Sequence, residues 1–442
     1  MFSNQALKKL IIPLVIEQVL VMLVGMADTA MVSYAGEAAI SGVALVDMFC
    51  YMIITILTAV ATGGAVIVSQ FLGSGDRTKA NLSASQLLVI TFLISSVIMA
   101  VCTVFHHGIL KLFFGSIEAD VMEAAATYLV ITAFSFPFLG IYNSSAALFR
   151  SMGKTNVTMY VSLLMNAINV AGNAVGIFVF HAGVAGVAVP TLISRIVAGI
   201  LMSALAFRES NTVFVRWKDI CRWDRETIRR ILRIAVPNGI ENGLFALGRV
   251  LVTSIVALFG TVQIAANGVA NSVDMIAIVV VNAVNLAMVT VVGQCVGADE
   301  YEQAKAYTWK LMKISYLATA VLGVLVCVSL PLILQIYELS DQTYRLSCFL
   351  IIMHNILAIL LHQTSFNLSN SLRAAGDAKF TMYVGVGSMI VFRLGTAVLF
   401  GMVLNLGIIG VWIAMGMDWL ARSVAFVIRY KSGKWKEYKA IN

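Results

Sequence analysis

Twelve stretches of this chain stay apolar for about 20 residues or more, the length a helix needs to cross bilayer hydrocarbon, and this restricts the fold more than any other feature. They fall at about 10–34, 41–72, 78–105, 121–146, 155–180 and 184–207, then at about 232–259, 264–296, 303–335, 342–369, 378–404 and 408–428. In hydrocarbon a segment must satisfy its own backbone N–H and C=O groups, so these runs are expected to be spanning helices. The chain is 60% hydrophobic and only 12% charged, against about 25% charged in soluble domains. The sequence therefore predicts an all-α integral membrane protein with twelve transmembrane helices. Lys8 and Lys9 precede the first run as they would in a signal peptide, but the run extends to Val32, too long for an excised segment. It is kept as span one.

Lysine and arginine orient the spans, because short loops on the cytoplasmic side retain them. Of 30 such residues, Lys111 and Arg345 fall in outside loops, Arg195, Arg249 and Arg393 within spans, and the other 25 at cytoplasmic positions. This predicts a multi-pass protein of the cell (inner) membrane with both termini cytoplasmic. Residues 209–230, ESNTVFVRWKDICRWDRETIRR, read as a cytoplasmic linker with an amphipathic helix, between an N-terminal lobe (1–208) and a C-terminal lobe (231–442). Topology accounts for the linker's basic charge, so no nucleic-acid partner is expected. The six cysteines lie scattered without a CxxC pair, which argues against a disulfide framework or a metal knuckle.

The chain also repeats itself. An offset of 224 aligns Pro13, Ile16 and Glu17 with Pro237, Ile240 and Glu241, Gly36 with Gly260, and Val68, Gln70 and Gly73 with Val292, Gln294 and Gly297. The same offset pairs Gly183, Gly186 and Val187 with Gly407, Gly410 and Val411, and an offset of 223 pairs Arg150 and Gly153 with Arg373 and Gly376. Six spans per half give two parallel six-helix lobes, an organisation found in secondary transporters, with the substrate route between the halves. The duplicated glycines read as helix-packing positions. A carboxylate kept twice in hydrocarbon is not explained by packing.

Six acids lie within spans: Glu17, Asp28 and Asp47 in the first half, Glu241, Asp274 and Asp418 in the second. A charged aspartate near mid-bilayer costs about 2.5–3.5 kcal/mol, so each should face the bundle interior or a wet cavity. Asp28 stands out, with small neighbours Gly25, Ala27, Thr29 and Ala30 and no cation in its own helix. It is suited to exchange a proton, or to hold Na⁺ if other oxygens converge on it. Glu17 lies eleven residues earlier, on nearly the same helix face and roughly 16 Å away along the axis, as a charge relay or substrate contact, with Glu241 its C-lobe counterpart. Pro13 and Pro237, each without a backbone donor, mark points where these helices can bend. Asp47, near the outer end of span two, and Asp418 are expected to be interfacial or ion-paired, and Arg249 is expected to pair with Asp274.

Further motifs carry a resemblance. A proline early in span one, DTAMV later in it, VSQFLGSGD ending span two, FRSMGKT and LRAAGDAKF after spans four and ten, and GVAGVAVPT opening span six resemble the prokaryotic type of the multidrug and toxic compound extrusion (MATE) family over nearly the whole chain. The resemblance implies two six-helix lobes around a central cavity and export of cationic, amphipathic drugs in exchange for H⁺ or Na⁺. It implies that Asp28 is an ion-coupling position, completed by Asn169 and Asn173 in span five and Thr191 in span six. An acid is expected at position 173, so this site has one formal negative charge, and span ten lacks the acid found in other members.

Other chemistries find little support. Gly153, Lys154 and Thr155 look like the end of a phosphate loop, but Leu148 stands where a glycine is needed. His354 and His362 in span ten are rotated about 80° apart on a helix with no carboxylate nearby in sequence, so polar packing is preferred to a metal pair. No GxSxG or HExxH occurs, the outside loops are too short to build a catalytic cluster, and the glycosylation patterns at Asn81, Asn156 and Asn367 fall on cytoplasmic or membrane positions. The reading is an ion-coupled antiporter, not an enzyme, without a cofactor or metal and acting as a monomer. The alternative is a lipid-linked saccharide flippase of similar architecture, which would line its cavity with several cations, here Arg195, Arg249 and Arg393.

Overall fold

The computed structural model describes residues 2–115, 118–337 and 339–441, and among them every regular element is helical. Two compact units emerge, Phe2–Gly239 and Ile240–Asn442.

The first unit holds α1 (Asn4–Val32), α2 (Glu37–Gly73), α3 (Arg77–Val104), α4 (His106–Phe114), α5 (Ala119–Ala133), α6 (Phe136–Ser151), α7 (Thr155–Ala174), α8 (Ala185–Ala206), the short α9 (Trp217–Ile220) and the start of α10 (Arg225–Ala257). Helix α1 continues through Pro13, and α7 extends as a wider π turn over Val175–Val179. Span four is not the continuous helix expected from the sequence: α5 and α6 meet at 49°. Pro137 opens α6, and a proline both lacks a donor and disfavours helical geometry in the residue before it. Counted as one span, this bent pair brings the membrane-length helices to twelve. Polar side chains of α3 hold the linker in place. Gln86 Nε2 donates to the carbonyls of Asp219 and Arg222, both at 2.6 Å, and Asn81 accepts from the Phe214 amide at 3.0 Å.

The second unit holds the rest of α10, α11 (Thr261–Gly297), α12 (Tyr301–Gln335), α13 (Asp341–Leu357), α14 (Leu368–Ala375), α15 (Ala378–Ser388) and α16 (Gly407–Lys431). Helices α13 and α14 are one span joined by π turns over Ala358–Asn367, and α15 likewise continues to Val403. The core of this unit gathers Trp412 and Trp419 of α16 with Val269 and Val273 of α11 and Leu350 and Ile351 of α13. Large apolar side chains such as Val328 (75% exposed) and Leu332 (70%) face outward, as they should where the solvent is lipid.

Of the repeated glycines, Gly186 and Gly410 pack backbone against backbone, whereas Gly36, Gly260, Gly183 and Gly153 have nothing within 4 Å of an added Cβ and take positive φ, so they are turn positions and not the helix-packing positions expected. A Cβ on Gly186 would lie 2.8 Å from Gly176, and one on Gly410 would lie 2.6 Å from Phe400, so only glycine lets these segments approach so closely.

Candidate functional site

Helix α1 carries Glu17 and Asp28 into different surroundings. Glu17 is buried; it accepts from Thr158 Oγ1 at 3.0 Å, and Arg150 Nη1 lies 3.7 Å away. Thr158 comes from the first turn of α7 and Arg150 from the last turn of α6, so three helix segments converge on the carboxylate. In the second unit Glu241 is buried the same way, with Arg373 Nη2 at 2.8 Å. Arg373 is oriented in turn by Asn370 Oδ1 at 2.7 Å. The 223-residue repeat contains both arginines and the 224-residue repeat both glutamates, so both partners of each pair are duplicated.

Asp28 lies half-buried in a cavity of about 290 Å³, lined also by Asp47, Tyr128, Asn166, Thr191 and Arg195. Glu17 does not line it. Asn173 Nδ2 donates to Asp28 Oδ1 at 2.9 Å. With its nitrogen toward Asp28, the Asn169 amide donates to both carboxylate oxygens at 3.0 Å while its oxygen accepts from Thr191 Oγ1 at 3.0 Å, the way round that matches donors to acceptors. Asn173 Oδ1, fully buried, has no hydrogen-bond partner among the described residues. All four expected residues, Asp28, Asn169, Asn173 and Thr191, come together here.

Two further partners line this cavity: Tyr128, which no sequence feature singled out, and Arg195, expected there as a cation under the flippase alternative. Tyr128 OH donates to Asp47 Oδ1 at 3.1 Å, and Arg195 Nη1 donates to Ser135 Oγ at 2.9 Å. Ser135 is available there because the α5–α6 break falls beside it.

Three expectations for the second half need correction. Asp274 does not pair with Arg249: its Oδ1 lies 3.1 Å from His354 Nδ1, under Trp412 and Trp419. His354 therefore does have a nearby carboxylate, supplied by another helix, while His362 packs on Phe366 and Trp419. Arg422, counted among the cytoplasmic charges, is buried in α16. Its Nε lies 2.9 Å from Asp418 Oδ1, and Arg393 Nη1 lies 3.7 Å from Oδ2. Four residues bring Arg422 one helical turn after Asp418. No group of three or more His, Cys, Asp or Glu that could hold a metal occurs among the described residues.

Comparison with known proteins places this geometry in a family. The MatE family model matches residues 13–175 and 237–399, one match in each half. An uncharacterized transporter, YisQ of Bacillus subtilis (strain 168), is 30% identical over 98% of each chain. A probable multidrug resistance protein NorM of Thermotoga maritima is 26% identical over 98% of this chain and 93% of its own. A solved multidrug resistance MATE family transporter of the MOP superfamily, in its outward-facing conformation, shares the fold with TM-score 0.89 at 19% identity, over 98% of this chain and 96% of that one. A MATE protein in the straight conformation does so with TM-score 0.90 at 20% identity, over 98% and 97%. The chain belongs to the MatE family of multi-pass membrane transporters.

Proposed function

We propose that the protein is a multidrug exporter that releases cationic, amphipathic compounds in exchange for H⁺ or Na⁺, and that the ion is taken at Asp28. One observation carries the reading: a carboxylate inside a spanning helix lines a cavity, is held by amides, and has no ion pair among the described residues. Family members draw on an ion gradient, and relatives bear the name probable multidrug resistance protein.

In the proposed cycle a proton or Na⁺ arriving from outside loads Asp28, beside the Asn169 amide. Asn173 and Thr191 complete the site. The loaded α1 then bends at Pro13, where the ring removes a helix hydrogen bond, and the change in shape releases the drug outward. Pro237 gives α10 the same freedom. Glu17 and Glu241 would relay charge or meet substrate only after leaving Arg150 and Arg373. The lysine and arginine distribution supports both termini lying in the cytoplasm, and the protein works as a monomer. The flippase alternative needs several cations lining one cavity, whereas of Arg195, Arg249 and Arg393 the Asp28 cavity is lined by Arg195 and Arg393 lies 3.7 Å from Asp418.

Proteoliposomes test the reading. With a pH gradient and a Na⁺ gradient imposed separately, uptake of a fluorescent organic cation should follow one of them and stop when it is collapsed. Equal uptake with neither gradient would refute ion coupling.

A further inference from the structure

The cavity around Asp28 holds a second acid. Asp47 of α2 lines the same space, ten residues from the start of its helix, whereas Asp28 lies four residues from the end of α1. Its carboxylate receives the Tyr128 hydroxyl at 3.1 Å and has no ion pair among the described residues. The third charge is Arg195 of α8, anchored on the fully buried Ser135 at 2.9 Å and acting electrostatically on both acids. The other groups facing Asp47 are the buried thiol Cys50, one turn along α2, and Tyr128 of α5. Helix α7 offers amides, and one of them, Asn166 Nδ2, is buried against the cavity with no hydrogen-bond partner among the described residues.

We propose that Asp47 is a second carboxylate of the cation site: with Asp28 and Arg195 it gives the cavity a net charge of minus one, so that a single monovalent cation arriving from outside is held between Asp28 and Asp47. Two carboxylates against one fixed guanidinium leave one charge to neutralise. A proton or one alkali cation does so, whereas a divalent ion would leave the cavity positive. Asp28, four residues before the end of α1, is met first from outside, and Asp47, ten residues into α2, adds the second negative charge behind it. Arg195, held away from both acids by Ser135, lowers the affinity of the empty cavity for any cation and so lets the ion leave.

The inference rests on Asp28 being the coupling site, and the experiment separates the two claims. Transport into proteoliposomes is measured against the concentration of the driving ion for wild type, Asp28→Asn, Asp47→Asn, Asp47→Glu and Arg195→Gln. Asp47→Asn should raise the half-saturating ion concentration about tenfold or more, as the loss of a nearby unit charge predicts, while the rate at saturating ion falls less than threefold. Asp47→Glu should restore most of the affinity. Arg195→Gln should move the half-saturating concentration in the opposite direction, a sign that a merely structural role for the cluster does not produce. If Asp47→Asn fails to insert, the direction of the Arg195→Gln shift decides. Loss of coupling in Asp28→Asn with unchanged ion dependence in Asp47→Asn and Arg195→Gln would overturn this inference alone. Full coupling in Asp28→Asn would overturn the reading beneath it.

Discussion

Glu17 and Glu241 occupy equivalent positions in the two halves, each four residues after a proline, and each meets an arginine that is duplicated as well, at 3.7 Å in the first half and 2.8 Å in the second. Eleven residues further on the equivalence ends. Asp28 of α1 corresponds to Val252 of α10, and the remaining acids within the spans of the second half sit against His354 or against Arg422 and Arg393. Duplication kept the neutralised pair and not the open carboxylate. In hydrocarbon a paired charge can be carried by a fold for architecture alone, while a carboxylate held by neutral amides needs another reason to be there.

The comparison breaks most readily at the arginines. Removing one partner of a buried pair leaves an uncompensated charge, so Arg373→Ala should cost about 3–5 kcal/mol in denaturant unfolding of the detergent-solubilised protein. Adding Glu241→Gln should recover much of that, and a double variant no more stable than the single one would deny that the pair neutralises Glu241. Arg150→Ala should cost less, about 1–3 kcal/mol, because Glu17 keeps the Thr158 hydroxyl at 3.0 Å. Equal losses would erase the asymmetry between the halves.

Gly186→Ala and Gly410→Ala test the part of the repeat read as packing. Each new methyl meets backbone at 2.8 Å or less, so both should lose stability to a similar extent, about 1–3 kcal/mol. A selective effect of one on transport would instead give that glycine a role of its own. The smallest contrast lies at the helix starts. Ser3 Oγ accepts from the Ala6 amide at 3.1 Å at the head of α1, and Asp224 accepts from the Thr227 amide at 3.0 Å at the head of α10. Hydrogen bonds from Thr227 hold the Asp224 carboxyl below its ordinary value. Its contribution is therefore fully present above the unfolded pKa near 3.9 and is lost as pH falls through the lower folded value. Asp224→Ala should cost about 1 kcal/mol near neutral pH and progressively less as the pH falls through the lowered folded value, whereas Ser3→Ala should show no such pH dependence.

The spans were legible because bilayer thickness fixes their length and apolarity their existence. What was not legible is what depends on three-dimensional neighbours. The α5–α6 break had a signal in Phe136-Pro137 that hydropathy alone passes over. Asp274 was matched to Arg249 because they share adjacent spans, yet the buried partner is His354, brought across from α13. At the site, Asp28 stood out as a lone acid in its helix, Asn169, Asn173 and Thr191 came from family resemblance, and the four stand together in the structure. Tyr128 and Arg195 carry no spacing that links them to Asp47, since a contact between α2, α5 and α8 leaves no periodicity in any one of them. The arginine partners of Glu17 and Glu241 were the opposite case, present in the repeat as matched positions.

The central claim is that the amide-held carboxylate of α1 couples transport to an ion. The direct measurement is gradient-driven uptake of a fluorescent organic cation by reconstituted Asp28→Asn, set beside its equilibrium binding of the same compound. The account predicts that the gradient response falls at least tenfold, about 1.4 kcal/mol or more, while binding changes little. Gradient-driven uptake at the wild-type rate by a correctly inserted Asp28→Asn protein would contradict it.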